Sequence, residues 1–97
     1  MKTFDFDFTE VTPTEINMGI AKRVRALRKR RKISQAKLSE LSGVSLGSLK
    51  RFESTGEISL LSLTKIAIAL DVEGELKSLF ANVPFLTIEE VENARGK

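Results

Sequence analysis

The sequence contains no cysteine, histidine, tryptophan or tyrosine. Without cysteine the chain has no disulfide framework and no thiolate metal site. Without histidine it lacks the commonest general base and the commonest metal ligand. Its carboxylates do not cluster in a way that indicates an active-site cleft. We therefore expect no enzyme, no metal and no cofactor.

Long apolar runs are missing as well. No stretch reaches the roughly 20 residues that a membrane-spanning helix needs. The N-terminus lacks the charged and then apolar pattern of a signal peptide. We therefore expect a cytoplasmic protein without a membrane partner. The 97 residues are enough for one domain with one modest core.

The sequence does have a basic block between two acidic ends. Residues 20–54 carry eleven Lys or Arg and two acids, whereas residues 1–19 carry one base and four acids. Residues 55–97 carry four bases and seven acids, so the net charge of +3 hides the segregation. Such a block indicates contact with a polyanion. A basic run alone is usually just a solvated surface, and a nuclear-localisation or membrane-surface role is a further alternative.

Two short amphipathic helices follow the basic run and are joined by a glycine. Ser34 and Ser45 stand where N-caps are expected, and Gly43 supplies the left-handed residue that ends the first helix. The inward-facing residues are expected to be Ala36, Leu38, Ser39, Leu41, Val44, Leu49 and Phe52. The outward-facing residues of the second helix are expected to be Ser48, Lys50, Arg51 and Ser54. This is the layout of a helix-turn-helix that binds the major groove; a helical hairpin that binds nothing is the alternative.

Hydrophobic spacing predicts five helices and an all-α fold. The first runs from about Asn17 to Arg31, the fourth begins after Ser59, which is expected to be its N-cap, and the fifth spans about 75–81. Their buried residues are predicted to be Ile20, Val24, Leu27, Leu60, Leu63, Ile66, Ala67, Leu70, Leu76, Leu79 and Phe80. We divide the chain into an N-terminal arm (1–15), whose end is marked by Thr and Pro13, a compact helical domain (16–81, motif 34–54) and a C-terminal extension (82–97).

From about Ile20 to about Val72, the chain resembles the lambda-Cro repressor family, the Xre-type helix-turn-helix proteins. The resemblance implies a repressor-like domain whose third helix, about 45–54, enters the major groove. It implies base contacts from that helix by Ser45, Leu46, Gly47, Ser48 and Arg51. Arg51 is the preferred base reader, because a guanidinium pairs bidentately with guanine.

The resemblance also implies contacts to the DNA backbone. Gln35 begins the second helix, where relatives touch a phosphate; a plain exposed polar residue is the alternative. Arg30 and Lys32 belong to the expected phosphate clamp, and Lys50 is a phosphate contact or simply solvated. Arg28 and Glu53 match a pair that forms an internal ion pair in relatives.

The chain departs from the family pattern at two places. Leu46 and Gly47 stand where long polar side chains are common, so direct reading of bases is expected to be thin and DNA shape to count for more. Many relatives have a basic loop after the third helix, whereas this chain has Glu57, which is expected to repel phosphate.

Two apolar features suggest protein partners. Leu61 and Ile68 lie seven apart, away from the buried face of the fourth helix, and form either an interface or a surface covered by the C-terminal extension. Residues 4–8 alternate Phe and Asp, which predicts a half-buried strand or else a tail. The candidate interface residues of the arm are Phe4, Phe6 and Phe8. A capping box at Thr87 predicts a short helix from Ile88.

These observations favour a sequence-specific DNA-binding transcriptional regulator, a dimeric repressor that binds an inverted repeat in double-stranded DNA. The alternative is an antitoxin that binds a toxin protein, such as a Hip-type kinase, and represses its own operon. The sequence of residues 48–60 and the extensions at both ends resemble this antitoxin group more than they resemble phage repressors.

Overall fold

The computed structural model describes residues 12–82, and this part of the chain forms five helices and no strand. The helices are α1 (Pro13–Arg30), α2 (Gln35–Ser42), α3 (Leu46–Thr55), α4 (Leu60–Ala69) and α5 (Glu73–Lys77). The predicted all-α, five-helix fold is therefore confirmed. The alternating arm with Phe4, Phe6 and Phe8 and the predicted helix from Ile88 lie outside the described residues.

Serine caps begin three of the five helices. The capping hydroxyls accept hydrogen bonds of 3.0–3.1 Å from backbone N–H groups three residues further along. These caps are Ser34 for α2, Ser45 for α3 and Ser59 for α4. All three were predicted, because a side-chain oxygen before an apolar helix satisfies an N–H that has no intrahelical partner.

The turn of the motif also has the predicted geometry. Gly43 adopts a left-handed φ of 78° and donates its N–H to the carbonyl of Ser39 at 2.9 Å. The hydroxyl of Ser39 donates to the carbonyl of Val44 at 2.6 Å. Two hydrogen bonds therefore join Ser39 of α2 to the residues of the turn. Val44 itself is buried in the core, which fixes the angle at which α3 leaves the turn.

The first four helices, α1, α2, α3 and α4, share one hydrophobic core. Its buried members are Ala21, Leu38, Val44, Leu49, Phe52, Ile66 and Leu70. The predicted α1 stripe, Ile20, Val24 and Leu27, is only partly buried and packs against this core. Phe52 and Leu49 hold α3 down by one face, so its opposite face is left to solvent.

The start of α1 differs from the prediction. The helix begins at Pro13 instead of about Asn17, with Thr12 as its N-cap. Proline is well suited to the first helical position, because its φ is already helical and its missing N–H is not needed there. The Thr12 hydroxyl accepts from the N–H of Glu15 at 3.1 Å, so the Thr-Pro pair that was expected to end the arm begins the helix.

The end of the domain also differs. The fifth helix spans Glu73–Lys77, not 75–81, and Leu79 and Phe80 do not close the core: they are 52% and 86% exposed. Phe80 adopts a left-handed φ of 61° in the turn after α5, where the helical spacing that predicted its burial no longer holds. Leu76 is partly buried, as the spacing requires.

Three other inward-facing predictions were wrong. Leu60 is 68% exposed because it is the first residue of α4, at the edge of the buried stripe. Leu41 is 53% exposed, and Ala36 is exposed as well, since α2 is short and Leu38 is its only fully buried residue. Among the described residues, no helix is both long and apolar enough to cross a membrane.

Candidate nucleic-acid interface

The outer face of α3 is free of the protein core. Ser48, Lys50, Arg51 and Ser54 are all exposed, as predicted. Gly47 precedes Arg51 by four residues, on the same side of the helix, and a Cβ built there would meet nothing within 4 Å. Leu46 is only partly exposed. The accessible side chains of this face are therefore polar or basic, and at Gly47 the backbone itself is accessible to solvent.

The two serines at the start of α3 are bonded to each other. Ser45 donates its hydroxyl to Ser48 Oγ at 3.0 Å and accepts the Ser48 backbone N–H at 3.1 Å. The Ser45 oxygen thereby serves as the N-cap of α3. The Ser48 hydroxyl lies at the surface and has a proton that can rotate toward an outside acceptor.

Arg51 carries an ion pair that the sequence reasoning missed. Glu57 Oε1 accepts hydrogen bonds from Arg51 Nε at 3.1 Å and from Arg51 Nη2 at 2.5 Å. Both side chains are more than half exposed. Glu57 was expected only to repel phosphate. A signal was present in its position directly after Gly56, because a left-handed glycine folds the following residue back toward its helix.

Glu53 lies where three helices meet. Arg28 of α1 donates to both of its carboxylate oxygens, from Nε at 2.8 Å and from Nη2 at 3.1 Å. Gln35 of α2 donates its Nε2 to Oε1 at 2.9 Å. Arg25 lies further away, with its Nε at 3.8 Å. Glu53 thereby connects the end of α1 and the start of α2 to α3.

This network has consequences for the basic run. The side chains of Arg28 and Glu53 are 9% and 4% exposed, and Arg28 also donates Nη1 to the carbonyl of Ile33 at 2.8 Å. Gln35 is turned toward Glu53 and is partly buried. Arg30 and Lys32 remain exposed at the end of α1. The structure thus brings Arg28, Gln35 and Glu53 together and leaves Arg30 and Lys32 at the surface.

The environment of Glu53 changes its acidity. Burial raises the pKa of its carboxyl, but the hydrogen bonds from Arg28 and Gln35 and the charges of Arg28 and Arg25 outweigh that effect. The pKa is therefore lowered from its ordinary value of 4.5. The carboxylate stays ionised in the folded protein at neutral pH, which keeps the buried guanidinium of Arg28 neutralised.

The second surface of interest is on α4. Leu61 and Ile68 are 65% and 59% exposed, and Leu60 adds a third exposed apolar side chain at the start of the helix. A group of exposed large apolar residues on one helix is typical of an interaction surface. This surface is built from a different helix than the α3 face, and the two can be tested separately.

Comparison with known proteins identifies the type of domain. The family model described as helix-turn-helix matches residues 24–76. The match includes α2 to α4 and the part of α1 that carries Arg28. No match to the chain was found among the curated proteins or among the solved structures.

Proposed function

Because the chain belongs to the Cro/C1-type, Xre-like helix-turn-helix family, and is therefore a DNA-binding transcriptional regulator, we propose that it is a dimeric repressor that reads its operator with α3. The observation that carries this proposal is the division of α3 into two faces. Leu49 and Phe52 are buried, at 0% and 1% exposure, whereas Ser48, Lys50 and Arg51 are exposed. A helix fixed by one face can present the other to base edges.

Within this proposal, Arg51 reads a guanine. Its guanidinium can donate two parallel hydrogen bonds to guanine O6 and N7, the commonest specific contact in the major groove. Ser48 lies three residues earlier, on the same side of the helix, and can donate its hydroxyl to a neighbouring acceptor. Gly47 lets the backbone of α3 approach the bases, and Leu46 can contact a thymine methyl group.

The remaining basic residues provide affinity instead of sequence reading. Arg30, Lys32 and Lys50 are proposed to contact phosphates, which strengthens binding to all DNA and weakens as salt rises. At the start of α2 the Lys37 N–H is bonded to the Ser34 hydroxyl, but the N–H groups of Gln35 and Ala36 have no intrahelical partner and suit a phosphate. The Gln35 side chain supports α3 through Glu53, so its proposed phosphate contact rests on the backbone.

Selection from a library of random DNA duplexes at near-physiological salt tests the proposal. We expect an inverted repeat whose half-sites are about one helical turn apart, as for other helix-turn-helix dimers. Arg51→Ala should then cost about 1–3 kcal/mol on the selected site and remove the preference at one base pair. Binding without any sequence enrichment would contradict the proposal.

Lys50→Ala is the matched control, since Lys50 is the adjacent exposed cation on α3. It should weaken binding to selected and random duplexes by the same factor, because a phosphate contact carries no sequence information. If Arg51→Ala behaved in the same way, Arg51 would be a phosphate contact only.

An antitoxin role is the second candidate, favoured by the exposed apolar side chains Leu61 and Ile68 on α4. In that case the partner at this surface is a toxin protein instead of a second copy of the chain. An antitoxin that represses its own operon also binds DNA, so the discriminating observation is the toxin itself. A toxin gene directly beside this one, whose product binds the wild type but not a variant carrying Leu61→Ser and Ile68→Ser, favours the antitoxin; a neighbouring gene product that does not bind favours the repressor.

A further inference from the structure

We propose that Glu57 is a specificity-determining residue, which holds the Arg51 guanidinium in the orientation that reads guanine. The inference rests on the proposed reading role of Arg51 and assigns a function to a residue expected only to repel DNA. One carboxylate oxygen of Glu57 accepts from both Nε and Nη2 of Arg51.

The contact with Glu57 leaves one edge of the Arg51 guanidinium available to pair with a base. Arginine has five N–H donors in a planar fork, and Glu57 uses the side edge formed by Nε and Nη2. The end edge, formed by Nη1 and the second N–H of Nη2, still offers two parallel donors. That edge is the one that can pair with guanine O6 and N7. Glu57 therefore supports Arg51 without competing for the same donors.

Glu57 is itself held by the turn that ends α3. Its backbone N–H donates to Thr55 Oγ1 at 3.2 Å, and the Thr55 hydroxyl donates to the carbonyl of Arg51 at 2.7 Å. Gly56 between them is buried and adopts φ 83°. A Cβ at Gly56 would come within 3.0 Å of backbone atoms of Asn17 and Met18 in α1. The turn is thus packed against α1.

The contact with Glu57 reduces the conformational entropy that Arg51 loses when it binds DNA. A long exposed arginine has many rotamers, and ordering it against a base costs conformational entropy. A guanidinium that is already paired on its side edge has fewer orientations to lose. The carboxylate also opposes a nearby phosphate, so it disfavours the alternative in which Arg51 binds the DNA backbone. Both effects favour the guanine contact over non-specific binding.

The alternative is that Glu57 acts only through its charge. Three variants of the full-length protein separate the two effects: Glu57→Ala removes the charge and the contact, Glu57→Asp keeps the charge but shortens the side chain, and Glu40→Gln is the control. Glu40 is 73% exposed on α2 and pairs with Lys37 at 3.3 Å. Its substitution therefore removes a comparable surface charge far from Arg51 in the sequence.

The measurement is the affinity for the selected duplex and for the same duplex with the Arg51-dependent G·C pair replaced by A·T. We expect both Glu57 variants to lower the ratio of the two affinities by about threefold to tenfold, part of the preference that a bidentate contact supplies. Glu57→Ala should also strengthen binding to random DNA. Glu40→Gln should change both affinities by the same factor.

The outcomes distinguish the inference from the function on which it rests. If Arg51→Ala lowers the ratio but Glu57→Asp leaves it unchanged, Glu57 acts through charge alone and the inference is wrong, while the proposed reading by Arg51 stands. If Arg51→Ala leaves the preference unchanged at every base pair, the reading role fails and the inference fails with it. Circular dichroism checks that each variant is folded.

Discussion

At the scale of single residues, Glu53 should make the stability of the domain depend on pH. Its pKa is lowered in the folded protein from the ordinary value of 4.5. As pH falls, the unfolded chain therefore takes up the proton first. The contribution of Glu53 to the free energy of unfolding is fully present above the ordinary pKa, and it is lost as pH falls through the folded-state pKa.

Glu53→Gln tests this expectation, because glutamine keeps the shape of the side chain but has no proton to bind. At about pH 7 the variant should be less stable than the wild type, and the difference should shrink as the pH is lowered below the ordinary pKa of 4.5. Denaturant titrations at several pH values measure both free energies of unfolding. A difference that stays constant over this range would contradict the role of the Glu53 charge.

Two further variants set the scale of the effect. Glu53→Ala leaves the Arg28 side chain, which is 9% exposed, as a buried charge without its carboxylate, and breaking such a pair typically costs about 3–5 kcal/mol. Glu40→Gln breaks the exposed pair with Lys37, which should cost less than about 1 kcal/mol. Similar losses for the two variants would show that burial of Arg28 adds nothing.

Some residue contacts could be anticipated from the sequence and others could not. The serine caps and the left-handed Gly43 follow from local rules, because each depends on residues within one helical turn. The Arg51–Glu57 pair spans six positions and a left-handed turn, so it depends on how the loop packs. The contact of Gln35 with Glu53 joins two helices, and the spacing of either helix alone does not reveal it.

At the scale of elements, the two left-handed glycines provide a matched comparison. Gly43 and Gly56 have similar φ values, 78° and 83°, and each ends a helix of the motif. A Cβ at Gly43 would meet nothing within 4 Å, whereas at Gly56 it would come within 3.0 Å of the backbone of α1. The two positions therefore differ in packing but not in backbone conformation.

Gly43→Ala should cost about 1–2 kcal/mol of stability, the price of a left-handed alanine. Gly56→Ala should cost more, by about 1–3 kcal/mol, because backbone atoms cannot move aside as a side chain can. Thermal and denaturant unfolding of the two variants measure the difference. Equal losses would mean that α1 and the turn after α3 move apart freely, and would weaken the argument that the turn holds Glu57 in place.

Helix existence was predictable, whereas helix ends and outer faces were not. Apolar residues at helical spacing indicate that a helix forms, but they do not show how far a neighbouring element extends over it. Leu60 and Leu79 fit the periodicity and yet are exposed, because each lies beyond the reach of the core. The start of α1 was missed because Thr12 and Pro13 also fit the end of an arm.

At the scale of the whole molecule, the exposed apolar surface on α4 should govern self-association. Leu61→Ser combined with Ile68→Ser should convert a dimer to a monomer without unfolding it, since both side chains are exposed in the monomer. Ile16→Ser is the control, because Ile16 is 50% exposed on α1, outside that surface. Sedimentation measures the mass of each variant. A dimer that survives the double substitution would place the interface elsewhere.

The same surface should determine which spacing between the two half-sites the protein can bind. In a dimer, two copies of α3 bind two half-sites together, and binding the second half-site becomes intramolecular. Insertion of about five base pairs between the half-sites turns one of them to the opposite face of the duplex, since a turn is about 10–10.5 base pairs. The wild type should then lose most of its affinity, whereas the Leu61 and Ile68 double variant should bind both duplexes equally. A wild type that tolerates the insertion must bind each half-site independently, which would contradict the dimeric repressor and leave the α4 surface for a different protein partner.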